Sequence, residues 1–149
     1  MYKNILLCYD GSRDGSHALL EGASLARLCK SEVILLAVVD DAHGLAFGEA
    51  AATGAIEHQR SDLEEVLKAG ARKLESMGLS PRMRLEQGDP VELIIAAAKE
   101  TNADLTVIGH HHHSRLTRWL TRSVAVDLAD RLDCSLLLAR VFAGQEQQW

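Results

Sequence analysis

Five short segments, each followed by turn residues, constrain the fold of this chain more than any other feature. Four of them are apolar, and short apolar runs bounded by turns are typical of strands buried on both faces of a sheet. The remaining segment alternates polar and apolar residues through Met83 and Leu85, so we expect it near an edge of the sheet. The predicted strands are Asn4 to Tyr9, Val33 to Val39, Arg82 to Glu86, Leu105 to Ile108 and Ser135 to Val141.

The stretches between these strands are long enough to hold helices, and their apolar residues recur at helical spacing. Asp89 and Pro90 fit the N-cap and the first position of a helix. Residues 42–54 are rich in Gly and Ala and are predicted to be a loop with a helical part. The predicted helices run from Ser16 to Lys30, from Leu63 to Met77, from Pro90 to Ala98 and from Val124 to Leu132.

Strands that alternate with helices predict an α/β fold, a doubly wound three-layer sandwich with helices on both faces of a parallel sheet. A length of 149 residues favours a single domain over residues 1–149. Ligands of such sheets bind at the carboxyl ends of the strands, where the winding reverses. Two strand orders fit the pattern. If the first and fourth strands are neighbours, Asp10-Gly11-Ser12 and Gly109 share one crevice.

The charge and the apolar content exclude several classes of partner. The net charge of −5 argues against binding to nucleic acid or to an anionic membrane surface, because both need a basic patch. No apolar stretch approaches the roughly 18 residues needed to insert into a membrane, and the apolar N-terminal run is too short for a signal peptide. We therefore expect a cytoplasmic protein. Its three cysteines, Cys8, Cys29 and Cys134, are expected to be buried free thiols.

Motifs for catalysis are missing from the sequence. It contains no GxxxxGK[ST] phosphate loop, no GxGxxG after the first strand and no GxSxG elbow. We therefore predict no catalytic residues. Asp10 allows two interpretations: Asp10-Gly11-Ser12 caps the first helix and turns the chain, or the Asp10 carboxylate accepts hydrogen bonds from the hydroxyls or ring nitrogens of a ligand.

Four consecutive histidines, His110–His113, follow the fourth strand. Adjacent histidines cannot all point the same way, so at most two or three of them reach one metal ion. No Cys, Asp or Glu stands at close spacing to complete a site. We expect an exposed loop with adventitious affinity for Zn or Ni and no dedicated metal site, the alternatives being a built metal site or a pH-responsive patch.

Four stretches together resemble the universal stress protein family along nearly the whole chain: NILLCYDGS, VILLAVVD, GDPVELIIAAAKETNADLTVIG and SVAVDLADRLDCSLLLA. The resemblance implies a five-stranded sheet in the order 3-2-1-4-5 and a homodimer formed through the last strand, Ser135 to Val141. Nucleotide-binding members carry a pattern similar to G-x2-G-x9-G-[ST] after the fourth strand. Its glycines let backbone N–H groups approach the phosphates closely.

That pattern is degenerate in this chain. Its glycines fall on Gly109, His112 and Arg122, and its hydroxyl falls on Ser123, so two of three glycines are absent. The chain is therefore similar to the members that do not bind ATP. The resemblance also implies the outline of the nucleotide crevice, formed by Asp10, Val38, Gly109, His112, Arg122, Ser123 and Val124.

The resemblance implies a non-enzymatic, stress-responsive regulatory homodimer that needs no cofactor and acts through an unidentified regulatory protein partner. The first alternative is a universal stress protein that binds ATP or AMP, as a nucleotide sensor or slow ATPase. There the side chains of Arg115, Arg118 and Arg122 bind the phosphates in place of the glycine loop. The second alternative is metal binding through His110–His113.

Overall fold

The computed structural model describes residues 1–41, 49–109 and 122–140. Within these ranges no helix combines the length and the apolar character needed to cross a membrane. Strands and helices alternate along the whole described chain, which confirms the predicted α/β class. The elements are β1 (Asn4–Cys8), α1 (Arg13–Cys29), β2 (Glu32–Val39), α2 (Glu49–Ser76), β3 (Arg82–Gln87), α3 (Pro90–Glu100), β4 (Leu105–Gly109), α4 (Arg122–Arg131) and β5 (Ser135–Ala139).

The five strands form one parallel sheet in the order β3-β2-β1-β4-β5, as the family resemblance implied. The central strand, β1, pairs with β2 on one side and with β4 on the other, so that Leu7 lies opposite both Leu35 and Val107. The winding reverses between β1 and β4. The carboxyl ends of these two strands are therefore neighbours, at the place where ligands of such sheets bind.

The core consists of two layers, because alternate residues of each buried strand face opposite sides of the sheet. Ile5, Leu7 and Leu35 pack against α1 and α2 on one side. Leu6 and Ile34 pack against α3 and α4 on the other. β3 forms one edge, as its alternating sequence predicted, and Met83 on this strand is exposed. β5 forms the opposite edge.

Most boundaries differ from the predicted ones by one or two residues, and the starts of α1 and α2 differ by more. Helix α1 begins at Arg13, earlier than predicted, because Ser12 caps it and its first turn is polar. Helix α2 begins at Glu49, well before the apolar periodicity that starts at Leu63, because this part of the sequence is rich in residues of high helix propensity such as Ala and Glu. Strand β5 ends at Ala139. The rest of its predicted range reaches Val141, which lies outside the described residues.

The cysteines are free, as predicted, but only one of the three is buried. Cys8 lies in the core, whereas Cys29 and Cys134 are partly exposed. The expectation of three buried thiols was therefore wrong for two of them. Cys29 is the last residue of α1, and Cys134 precedes β5, so both lie where an element ends and solvent is near.

Helix α3 begins as the sequence predicted, and its cap allows a direct test. The Asp89 side chain accepts a hydrogen bond from the backbone N–H of Glu92 at 3.0 Å, and Pro90 occupies the first turn. Asp89→Ala should lower the free energy of unfolding by about 1 kcal/mol, because an N–H at the helix start loses its acceptor. Asp89→Ser, which keeps an acceptor, should stay near wild type in denaturant unfolding. Equal losses in both variants would contradict the capping role.

Candidate functional site

Asp10 and Gly109, two of the residues predicted for the nucleotide crevice, lie together at the reversal between β1 and β4. Asp10 is buried, with 3% of its surface exposed. Gly109 closes β4 directly against the first turn of α1: a Cβ atom placed on Gly109 would lie 2.6 Å from the carbonyl oxygen of Asp14. Such a separation is too short for any side chain, so the close approach of strand and helix depends on glycine.

The Asp10 carboxylate holds the start of α1. Its Oδ1 accepts hydrogen bonds from the backbone N–H of Ser12 at 2.9 Å and from the Ser12 hydroxyl at 2.5 Å. The same hydroxyl oxygen accepts from the backbone N–H of Gly15 at 3.0 Å and so caps the helix. The capping interpretation of Asp10-Gly11-Ser12 is therefore confirmed. A ligand at this carboxylate would compete with Ser12 for Oδ1.

Tyr9 and Gly11, the residues before and after Asp10, pack against α2. Gly11 has a φ of +78°, and a Cβ atom placed on it would lie 2.8 Å from the Val66 side chain. The Tyr9 hydroxyl lies 3.3 Å from the Ser16 hydroxyl, and its ring lies against Gly70 of α2. Tyr9 is thus directed between α1 and α2, and Asp10 is the polar side chain at the end of β1.

Strand β2 contributes two residues at the same end of the sheet. Val38, predicted to support an adenine ring, is fully buried in the core layer that faces α3 and α4, so it presents no free surface to a base in this conformation. Asp40 follows the strand and is 6% exposed. The sequence patterns did not single out Asp40. The available signal was an acidic residue directly after a buried strand, as Asp10 follows β1.

The remaining predicted site residues belong to α4 or precede it. Val124 is half-buried and packs against the core layer of α3 and α4. Arg122 and Ser123 form the start of α4, and their side chains lie outside the described part of the molecule. His112 lies outside the described residues, as does the whole run His110–His113. In the described ranges, no group of three or more His, Cys, Asp or Glu residues is placed to hold a metal ion.

The described part of this crevice is acidic. Asp10, Asp14, Asp40 and Asp41 lie at or beside the ends of β1 and β2, and Arg13, at the start of α1, carries the opposite charge nearby. This local charge disfavours an anionic ligand unless arginines from elsewhere compensate for it.

Cys8, two residues before Asp10, lies in the core and not in this polar cluster. Burial raises the pKa of the Cys8 thiol, and the nearby Cys134 and Asp10 raise it further. Cys8 therefore remains protonated at neutral pH.

The chain is similar to known proteins along nearly its full length. The model of the universal stress protein family matches residues 1–140. Universal stress protein MJ0577 of Methanocaldococcus jannaschii is 26% identical over 155 residues, which span 94% of this chain and 96% of that protein. The solved structure of MJ0577 superposes with a TM-score of 0.81, covering 97% of this chain and 99% of that one at 24% identity. The universal stress protein UspA from Lactobacillus plantarum superposes with a TM-score of 0.80, at 20% identity and with 93% and 98% of the two chains covered.

Three further solved structures share the fold and contain nucleotides. They are an Arabidopsis thaliana family protein with AMP bound, a universal stress protein from Archaeoglobus fulgidus in complex with dAMP, and a universal stress protein in complex with cAMP. Their identities to this chain are 14%, 17% and 18%, and their TM-scores are 0.69, 0.66 and 0.67. At these identities the likeness establishes the fold alone. The family model over residues 1–140 establishes more: the chain belongs to the universal stress protein family.

Proposed function

We propose that this chain is a non-enzymatic regulatory protein that acts as a homodimer through Ser135 to Val141 and through contact with a regulatory protein partner. In this proposal the protein needs no cofactor and binds ATP weakly or not at all. The observation that carries the proposal is the difference between the two edges of the sheet, which suits one edge, and not the other, to pairing with a second copy.

The β5 edge is apolar. Leu136 and Leu137 are half-buried, and 40% of the Leu138 surface is exposed. An apolar edge strand left open is an aggregation hazard, because its unpaired backbone groups can recruit another strand. Pairing two β5 strands about a two-fold axis would satisfy these groups and cover the leucines.

The β3 edge carries charges instead. Arg84 donates to Glu86 at 2.8 Å and lies 2.9 Å from Glu100 on α3. Arg82 lies 3.6 Å from Glu32. Charged side chains along an edge strand oppose pairing with another chain, since pairing would remove them from water. We therefore assign the dimer contact to β5.

The dimer is tested with two matched lysine substitutions, one on each edge. Leu138→Lys should convert the dimer to a monomer at micromolar concentration, because two copies of the charge would be brought into the interface. Met83→Lys, at a residue 52% exposed on β3, should leave the dimer intact. Sedimentation velocity measures both. A wild-type protein that sediments only as a monomer would rule out the dimer. Dissociation by Met83→Lys would show that the dimer forms through β3, and that its assignment to β5 was wrong.

A nucleotide sensor, or a slow ATPase, is the second candidate function. It is favoured by the meeting of Asp10 and Gly109 at the strand reversal and by the AMP, dAMP and cAMP found in the three structures of similar fold. Against it stand the engagement of Asp10 Oδ1 by Ser12, the full burial of Val38 and the substitution of two motif glycines by His112 and Arg122.

Mass spectrometry of the nucleotide released from purified protein separates the two candidates. We expect no stoichiometric nucleotide from the wild type, and no phosphate release above background when ATP is added. ATP or AMP released at one molecule per chain would favour the sensor, and turnover of added ATP would favour the slow ATPase.

A further inference from the structure

A cavity lies at the opposite end of the sheet from Asp10. Its volume is about 330 Å³, and it opens between the end of α3 and the segment that leads into β5. It borders the amino ends of β4 and β5, whereas Asp10 and Gly109 lie at the carboxyl ends. Any ligand of this cavity would therefore occupy a site separate from the crevice at Asp10 and Gly109.

One wall of the cavity is aliphatic. Ile95 and Ala98 line it from α3, and Ala103 and Leu132 line it from the segments that follow α3 and α4. Ala98 is 6% exposed, and the other three pack against the core layer, so the wall is held by the fold. The volume lies at the lower end of the range for small-molecule pockets, about 300–1,000 Å³, which favours a ligand of amino-acid size.

The rim carries one charge of each sign, and neither is neutralised. Lys99 and Asp133 both line the cavity and are exposed. Neither is in an ion pair in the part of the chain that the structure describes. Neighbouring charges on α3 are paired: Glu92 accepts from Arg131 at 2.6 Å, and Glu100 lies 2.9 Å from Arg84. The two rim charges thus remain available to a ligand.

We propose that this cavity binds a small zwitterion with an aliphatic side chain, of the class of an apolar α-amino acid. The Lys99 ammonium group would bind the ligand carboxylate, and the Asp133 carboxylate would bind the ligand ammonium group. The aliphatic side chain of the ligand would lie against Ile95, Ala98 and Leu132 and lose its contact with water. A ligand with only one of the two charges leaves one rim group without a partner.

Cys134 provides a reporter of occupancy, because this residue lines the same cavity and is partly exposed. Cys29, partly exposed at the end of α1, is the control thiol, and the buried Cys8 should not react. Alkylation by iodoacetamide is followed for each cysteine by peptide mass spectrometry. Leucine at millimolar concentration should slow the alkylation of Cys134 saturably and leave that of Cys29 unchanged. No protection of Cys134 by leucine would overturn the proposal.

Two analogues of leucine test the need for both charges. 4-Methylpentanoate lacks the ammonium group, and 3-methylbutylamine lacks the carboxylate. Each should protect Cys134 at least about tenfold less effectively than leucine, since one charge-assisted hydrogen bond is lost. Equal protection by all three compounds would show a cavity that selects only for apolar character, and would overturn the assignment of a zwitterion.

Variants of the rim assign each charge to its residue. Lys99→Met should weaken protection by leucine about tenfold and abolish the preference for leucine over 3-methylbutylamine. Asp133→Asn should abolish the preference for leucine over 4-methylpentanoate. Lys73→Met and Asp130→Asn, at exposed residues outside the cavity, are matched controls that should behave as wild type. Unchanged ligand preferences in both rim variants would contradict the proposed contacts.

Discussion

Replacing His112 and Arg122 together by glycine is expected to raise the affinity for ATP by at least about tenfold. A phosphate held by a glycine loop gains charge-assisted hydrogen bonds from backbone N–H groups, each worth roughly 1.5–3 kcal/mol. About 1.4 kcal/mol corresponds to a factor of ten in affinity, so recovery of two such bonds would change the affinity by a few orders of magnitude. The substitutions restore the pattern G-x2-G-x9-G-S, from Gly109 to Ser123.

The matched control replaces His113 and Arg118 by glycine, which removes one histidine and one arginine at positions outside the pattern. This control should bind ATP no better than wild type, and isothermal titration measures all three proteins. Tight binding by the wild type would show that the arginine side chains replace the glycine loop. No gain in the His112 and Arg122 variant would mean that the crevice is closed elsewhere, and the hydrogen bonds from Ser12 to Asp10 would then be the first contacts to remove.

Gly109→Ala should be among the most destabilising single substitutions in this chain, with an expected loss of about 3 kcal/mol in the free energy of unfolding. The added Cβ would lie 2.6 Å from the carbonyl oxygen of Asp14 and 2.8 Å from the backbone nitrogen of Gly15. Backbone atoms cannot rotate away as a side chain does, so β4 and the start of α1 must separate. At this chain length the midpoint of thermal unfolding should fall by roughly 6–12 °C.

Gly54→Ala is the control for this substitution, because no atom outside the backbone of its own helix and its two chain neighbours lies within 4 Å of the added Cβ. Gly54 lies within α2, so alanine should stabilise the protein by about 0.5–1 kcal/mol through its higher helix propensity. Denaturant unfolding, monitored by circular dichroism, measures both variants. If Gly109→Ala were as stable as the wild type, the first turn of α1 would be able to move away from β4 with little loss of free energy of unfolding.

The fold was predictable because the sequence carries two clear patterns: continuous apolar runs in the buried strands and apolar residues at helical spacing in the helices. Strands that are buried on both faces have continuous apolar sequences, as in Val33 to Val39. The start of α3 is marked by Asp89 and Pro90. The start of α2 was missed because Ile56 is the one large apolar residue in the sequence between Glu49 and Leu63, so no periodic pattern marks this part of the helix. Local patterning also cannot show which strands are neighbours, so the strand order came from the family resemblance.

The candidate site was predictable only in outline. Asp10 and Gly109 each follow a buried strand, and the topology brings such positions together. The hydrogen bonds from Ser12 to Asp10 were not predictable, because they depend on side-chain rotamers within the turn. The cavity at Lys99 and Asp133 also lacks a local signal, since residues from two distant parts of the chain meet there.

The contrast between the sheet edges has a consequence for the size of any assembly. If two copies join through β5, both apolar edges are consumed, and the combined sheet ends on each side at a β3 strand. At those ends Arg84 forms ion pairs with Glu86 and Glu100. These charges would oppose the pairing of a third copy with either β3 edge. Growth would therefore stop at two copies. In such a dimer, the same apolar strand that would seed a fibre in a sheet with two open edges would give a closed particle.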